Sequence, residues 1–263
     1  MIIRHLLFCI LSTILFFNSA TITLAADLDA DIPIAFILKN KHLAVTFQKT
    51  DAGPRLAFIQ YLPTGQTYRF DNSEEIALAI VRPEDINDPK LIPHYKLHNK
   101  FQLAGINVDP DKSKAAIQFA DDSLEAQIKY QLYPDAPVLQ KTMVCTARER
   151  SVYIAGICLW NLKPVGLSLI WPKSKNTWGQ PSVLIGSGDG CFITSEWPRS
   201  RNSMDTDGKI NIEHRPGYNL KPGRPHEVAT GAIGFFECKS ESTTEKLEAA
   251  RQSFFAHMVR RIN

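Results

Sequence analysis

The chain has 263 residues, a formal net charge of +3 and a hydrophobic content of 44%. This charge is too small and too scattered to indicate a nucleic acid or another polyanion as the partner. The length suits one large β-sandwich or barrel. No repeat, linker or low-complexity segment divides the sequence, so we expect a single domain with a large core.

The N-terminus has the pattern of an export signal. Arg4 and His5 form a short basic start, and an apolar run follows at 6–17. This run is shorter than the roughly 20 residues of a transmembrane helix, and small residues up to Ala25 suit signal peptidase. We expect residues 1–25 to be a cleaved signal peptide, with an uncleaved anchor as the alternative. The mature chain would then be periplasmic or extracellular, without membrane contact.

Four cysteines remain after the signal segment, and an oxidising compartment allows them to pair. Three pairings are open, and free buried thiols are an equal alternative. No Cys-x-x-Cys spacing occurs, so we expect no zinc or redox site and no cofactor. These residues are Cys145, Cys158, Cys191 and Cys238.

The mature chain reads as short strands separated by turns. The clearest strand is 124–132, where apolar residues alternate with Glu125, Gln127, Lys129 and Gln131. We therefore expect an all-β sandwich over residues 30–240. Further predicted strands lie at 43–47, 56–62, 66–70, 76–81, 138–146, 152–162, 167–171, 190–197, 209–214 and 228–236.

One helix is predicted, over residues 242–263. Ser242 and Glu245 have capping-box spacing, and an apolar stripe follows at helical intervals. The stripe consists of Leu247, Ala250, Phe254, Met258 and Ile262.

The order of several short motifs resembles a known family. These motifs are 38–47, 56–61, 64–65, 133–139, 178–181, 188–192, 196–198, Asn202, 215–218 and 220–223. Together they resemble galactose-mutarotase-like supersandwich domains, and above all the N-terminal domain of family 36 alpha-galactosidases. The resemblance implies a large two-sheet antiparallel supersandwich with one C-terminal helix.

In those enzymes a catalytic barrel follows the helix and carries the two carboxyl groups of glycoside hydrolysis. No barrel follows in this sequence. The resemblance thus implies a non-catalytic carbohydrate-binding or hydrolase accessory domain. The stripe with Phe254, Phe255 and Met258 would contact a catalytic barrel or a partner protein, or else pack on the sandwich. A single-domain protein, a truncated hydrolase and a split system are all open.

The candidate carbohydrate-binding residues are aromatic and polar side chains near predicted strand ends. Glu196 beside Trp197 suits a sugar, because an indole stacks on C–H groups while a carboxylate accepts hydrogen bonds from hydroxyl groups. The alternative is a Glu196 ion pair with Arg199 or Arg201, and a Trp197 in the core. The predicted loop residues Trp178, Asn202 and Tyr218 would complete the site.

Two other functions stay open. An epimerase-like enzyme would need a carboxylate and an imidazole that converge, and Glu196 with His214 or His226 could supply them. A scaffold that has lost its ligand is the third hypothesis. Residues 205–208 partly resemble a calcium loop, but the outer ligand positions fail, so an Asp-Gly hairpin turn is predicted and no metal site.

Overall fold

The computed structural model describes residues 32–262, except 72, 82–100, 172–175, 179–180, 187 and 198–199. The predicted signal peptide, residues 1–25, lies outside the described residues and stays a prediction.

Strands dominate the described part of the chain, which ends in one helix, α1 (Thr243–Ile262). In chain order the strands are β1 (Ile34–Lys39), β2 (Leu43–Thr50), β3 (Gly53–Tyr61), β4 (Gln66–Asp71), β5 (Ala77–Val81), β6 (Gln102–Val108), β7 (Lys114–Ala120), β8 (Leu124–Leu132), β9 (Val138–Ala147), β10 (Val152–Val165), β11 (Ser168–Trp171), β12 (Asn176–Trp178), β13 (Ser182–Ile185), β14 (Asp189–Ser195), β15 (Arg201–Met204), β16 (Ile210–His214), β17 (Tyr218–Leu220) and β18 (His226–Glu237).

These strands form two antiparallel sheets that enclose a common core. The first sheet has the order β1-β2-β3-β4-β10-β16-β15-β12, and β5 and β17 also pair with β10. The second sheet has the order β11-β13-β14-β18-β9-β8-β7-β6. The predicted two-sheet antiparallel sandwich with one C-terminal helix is confirmed.

The register of β8 shows how the sequence pattern places side chains. Leu124, Ile128 and Leu132 are buried in the core, while Glu125 and Lys129 are exposed on the outer face. Successive side chains of a strand point to opposite faces, so apolar residues at every second position cover the first sheet. The predicted alternation over β8 is confirmed.

A buried ion pair joins the two sheets. Lys141 Nζ on β9 lies 3.1 Å from Glu75 Oε2, and their side chains are 1% and 3% exposed. Glu75 also accepts hydrogen bonds from the Leu56 amide, at 2.8 Å, and from the Tyr130 hydroxyl. The Lys141 ammonium lies 5.1 Å from the centre of the Trp160 ring. The pair is therefore surrounded by aromatic rings and by hydrogen-bond donors, as a buried charge requires.

A second polar contact between the sheets is centred on Asp189 at the start of β14. Its carboxylate accepts hydrogen bonds of 2.6 Å from the hydroxyls of Tyr68 and Thr64. Burial raises the pKa of Tyr68, which therefore keeps the proton that it donates. Trp160 on β10 adds a third link by donating from Nε1 to the Thr194 carbonyl at 3.0 Å.

Helix α1 packs against the outer face of the second sheet. Phe192 on β14 meets Phe254 of the helix edge-on, with ring centres 5.7 Å apart. Ala250 is also buried at this contact. Gly234 lies under Phe192, and a β-carbon there would overlap the Phe192 ring. The glycine thus allows the aromatic ring to lie close to the sheet and to face the helix.

Cys145, Cys158, Cys191 and Cys238 are free thiols in the structure. Burial raises the pKa of Cys145 to about 12 and also raises those of Cys158 and Cys191. These three residues act as small core side chains with unreactive thiols. Of the alternatives left open by the sequence, the structure has the free thiols.

Replacement of Lys141 by Met tests the buried ion pair. The Lys141→Met variant leaves Glu75 charged and buried, so the free energy of unfolding should fall by about 3–5 kcal/mol. Urea unfolding measures this change, and Lys141→Met/Glu75→Gln should recover more than half of it. The control Arg251→Ala breaks an exposed ion pair with Glu248 and should cost less than about 1 kcal/mol. If Lys141→Met and Arg251→Ala lower the free energy of unfolding by the same small amount, the stabilising role of the Lys141–Glu75 pair is contradicted.

Candidate functional site

Four rings form a cluster at the ends of β14, β16, β17 and β18, which we call the aromatic cluster. The Trp197 indole stacks on the His214 imidazole, with ring centres 5.3 Å apart and planes at 9°. Tyr218 meets Trp197 edge-on at 6.0 Å, and His226 meets Tyr218 at 4.6 Å. Two residues that are distant in sequence, His214 and Tyr218, therefore contact the Trp197 ring, and His226 joins the cluster through Tyr218.

Local structure brings these rings together. The chain turns after β14, where the Trp197 amide donates to Ser195 Oγ at 3.3 Å and the Ser200 amide donates to the Trp197 carbonyl at 3.0 Å. Gly217 has a positive φ of 67° and separates β16 from β17. This backbone conformation suits glycine, and it returns the chain so that Tyr218 lies beside Trp197.

The aromatic cluster has a buried side and an exposed side. His214 is buried, Tyr218 is half-buried and His226 is exposed. Trp197 retains 37% exposure, which is high for so large an apolar side chain. His214 stacks on the indole and Tyr218 meets it edge-on, while part of the Trp197 side chain stays exposed to solvent.

Both titratable groups next to Trp197 are neutral near pH 7. Burial lowers the pKa of His214 to about 4, although a contact with the Val228 backbone opposes this change. Burial and the Glu227 carboxylate raise the pKa of Tyr218. The indole of Trp197 therefore has two uncharged neighbours, the His214 imidazole and the Tyr218 phenol.

Glu196 has a different environment from its neighbour Trp197. Its Oε1 accepts a hydrogen bond of 3.1 Å from Gln140 Nε2 and lies 3.4 Å from His257 Nε2 on helix α1. The His257 side chain is buried and also meets the ring of Tyr133 edge-on. Glu196 thus joins the second sheet to the helix, whereas Trp197 contacts His214.

The remaining predicted residues lie in strands and not in loops. Trp178 ends β12 and pairs with Arg201 of β15, and its side chain lies outside the described part of the chain. Asn202 lies in β15 and is only 1% exposed. Tyr218 opens β17. The structure therefore brings Trp197, His214, Tyr218 and His226 together and buries Asn202.

A polar surface on the outer face of the second sheet was not singled out from the sequence. It contains two neighbouring depressions of about 350 Å³ and about 290 Å³. The first is lined by Lys129, Gln131, Gln140, Thr142 and Glu227, among others. The signal for this surface was the run of long polar residues at alternate positions of β8.

Among the residues that the structure describes, no group of three or more His, Cys, Asp or Glu side chains could hold a metal ion. No described helix is sufficiently long and apolar to span a bilayer.

The chain turns between β15 and β16 at residues 205–208. Asp205 Oδ1 accepts hydrogen bonds from the Asp207 and Lys209 amides, at 3.0 and 2.8 Å. The predicted Asp-Gly turn is confirmed.

Comparison with solved structures shows which fold this is. A glycoside hydrolase family 97 enzyme from Pseudoalteromonas sp. strain K8, in complex with acarbose, superposes with a TM-score of 0.52 and 9% identity. The match covers 76% of this chain and 35% of that enzyme. The chain has a galactose-mutarotase-like fold. The predicted resemblance to this fold is therefore confirmed.

Other solved structures are also similar. A family 36 alpha-galactosidase from Geobacillus stearothermophilus has a TM-score of 0.48 and 7% identity, with 77% of this chain and 40% of that chain covered. A galactose mutarotase related enzyme from Lactobacillus acidophilus has a TM-score of 0.44 and 11% identity, with 79% and 99% covered. This chain thus spans less than half of the two hydrolases. No protein-family model and no curated protein matches the sequence.

Burial of His214 predicts a loss of stability in acid. The folded pKa of about 4 lies below the unfolded value of 6.5, so only the unfolded state binds a proton between these values. Stability should therefore fall as the pH falls from 6.5 to 4, by roughly 2–3 kcal/mol from this residue.

His214→Phe keeps a ring against Trp197 and removes the titrating group. Urea unfolding at pH 7 and pH 4.5 should show a smaller difference for this variant than for the wild type. The other carboxylates and histidines titrate in both proteins, so their contributions to the pH dependence of stability cancel in the comparison. If the stability difference between pH 7 and pH 4.5 is the same in the variant and the wild type, the burial of a neutral imidazole is contradicted.

Glu196→Ala should loosen helix α1, because it removes the acceptor of Gln140 and the partner of His257. Hydrogen exchange of the helix amides at 250–258 should become roughly tenfold faster, since a hydrogen bond to a charged group is lost. The control Glu248→Ala removes an exposed carboxylate of the same helix. If both variants exchange like the wild type, Glu196 does not anchor the helix.

Proposed function

We propose that the chain is an exported carbohydrate-binding protein or an accessory domain of a glycoside hydrolase, without catalytic activity of its own. The observation that carries this proposal is the Trp197 indole, which is partly exposed and held on its inner side by His214. The export part rests on the signal pattern at residues 1–25. A periplasmic or extracellular location follows from that pattern.

The aromatic cluster has the chemistry that a sugar ring requires. An indole presents a flat apolar surface to the C–H groups of a pyranose, and stacking with His214 holds it in one orientation. The hydroxyl of Tyr218 and the exposed His226 lie at the rim, where they can form hydrogen bonds with sugar hydroxyl groups. A rigid platform lowers the entropy lost when a ligand binds.

The similar structures support the class of ligand. The Pseudoalteromonas enzyme was solved with acarbose, and the other two matches are a galactosidase and a mutarotase related enzyme. Each of these names concerns a carbohydrate. We take the same class of ligand for this chain, with Trp178, Glu196 and Asn202 as further candidate residues.

An epimerase-like reaction has less support in the geometry. It needs a carboxylate and an imidazole that approach the same sugar ring and exchange protons near neutral pH. The Glu196 carboxylate is turned to His257 on the helix, and the low pKa of His214 makes it a weak base. A catalytic role of either residue therefore stays an alternative to binding.

Helix α1 offers a surface for a partner. Phe255 and Val259 lie one turn apart and are both 56% exposed, whereas Phe254 packs on Phe192. Exposed apolar pairs of this kind are often covered by another domain or protein. A catalytic barrel or a partner protein is therefore part of the accessory-domain proposal.

Trp197→Ala should weaken binding to a responsive glycan on an array about tenfold, because the stacking surface is lost. Phe255→Ala is the control, since it removes an exposed aromatic ring from the helix. Circular dichroism would show whether both variants stay folded. Wild-type retention by a folded Trp197→Ala variant would refute the proposed site.

A further inference from the structure

The outer face of the second sheet carries several amide side chains on β6 to β9. We call this surface the amide groove and define it by Asn107 on β6, Gln118 on β7, Gln127 and Gln131 on β8, and Gln140 on β9. We propose that the amide groove is a second binding site, for an extended and uncharged oligosaccharide. The ligand class rests on the proposed function, and the residues that define the groove are different from those of the aromatic cluster.

Strand register makes the groove continuous. Gln127 lies between Gln118 and Val144, Lys129 lies between Ala116 and Thr142, and the next position on β8 is Gln131. Residues two apart on a strand are about 7 Å apart, so the two depressions adjoin along β8. Ala116 has a short side chain, which leaves space between longer neighbours.

The polar groups of the groove are available to a ligand. In the described part of the chain, the side chains of Gln118, Gln127 and Gln131 form no hydrogen bond with another residue. Each amide has two donors and an acceptor, and each sugar hydroxyl likewise both donates and accepts. A row of amides can therefore bind a chain of hydroxyl groups without charge.

Other residues of the groove are held in place. Gln140 donates to Glu196, which also contacts His257 of the helix. Thr230 donates a hydrogen bond of 2.6 Å to Glu227 Oε1 and lies 3.4 Å from the Thr142 hydroxyl. One side of the groove is thus pre-organised by contacts within the second sheet, which favours binding.

The charges around the groove balance. Lys114 and Lys129 line the larger depression together with Asp109 and Glu227. In the smaller depression, Arg148 Nε lies 3.3 Å from Glu125 Oε1. With no net charge among these residues, an anionic ligand has no electrostatic advantage. The complementary ligand is therefore an uncharged chain and not a uronate or a sulfated glycan.

The test uses isothermal titration calorimetry on the full chain carrying Trp197→Ala, so that the aromatic cluster does not contribute. The probes are maltotetraose, cellotetraose and mannotetraose, with tetragalacturonate as the anionic comparison. At least one uncharged probe should bind, and tetragalacturonate should bind at least tenfold more weakly. Adding Gln127→Ala and Gln131→Ala should weaken binding of the uncharged probe about tenfold, as expected for two lost hydrogen bonds.

Gln60→Ala in the same background is the matched control, because Gln60 lies on β3 of the first sheet. It should leave the dissociation constant unchanged. Absence of binding by all uncharged probes, or unchanged binding after removal of both glutamines, would overturn the amide groove. If the wild type binds an uncharged probe and Trp197→Ala abolishes this binding, the amide groove is refuted and the aromatic cluster is supported. If Trp197→Ala leaves binding unchanged and the glutamine variants weaken it, the aromatic cluster is refuted and the amide groove is supported.

Discussion

Lys141 and Glu75 form a charged contact in the centre of an otherwise apolar core, and this contact constrains much of the second sheet. Lys141 lies on β9, where its side chain points inward to Glu75. Because neighbouring side chains of a strand alternate, Gln140 and Thr142 must point outward. A shift of β9 by one residue would bury those two groups and expose the ion pair. The inward ammonium thus determines which residues line the amide groove.

The same alternation gives the two residues that follow β14, Glu196 and Trp197, different contacts. Glu196 contacts Gln140 and His257 and holds helix α1, while Trp197 stacks on His214. Adjacent residues can therefore contact the helix and the aromatic cluster without competing for space. The helix covers part of the outer face of the second sheet and leaves the β6–β9 part open.

Much of the fold could be predicted, because long strands have a clear period of two. This holds above all for β8, and the helix followed from its apolar stripe. Strands of three or four residues, such as β12 and β15, are too short to show a period, so Asn202 was placed in a loop. The ring contacts of Trp197 join residues far apart in the chain, which no local pattern encodes.

The sequence by itself determined that this is an all-β chain with a helix at its end, and that one face of β8 is polar. Hydrophobic periodicity is a local property, so it can be read from the order of residues. Only the tertiary structure decided that Glu196 contacts the helix, that Trp197 stays partly exposed, and that the polar face of β8 joins Gln118 and Gln140 in one groove. These outcomes depend on strand register and sheet packing, which bring together residues that are distant along the chain.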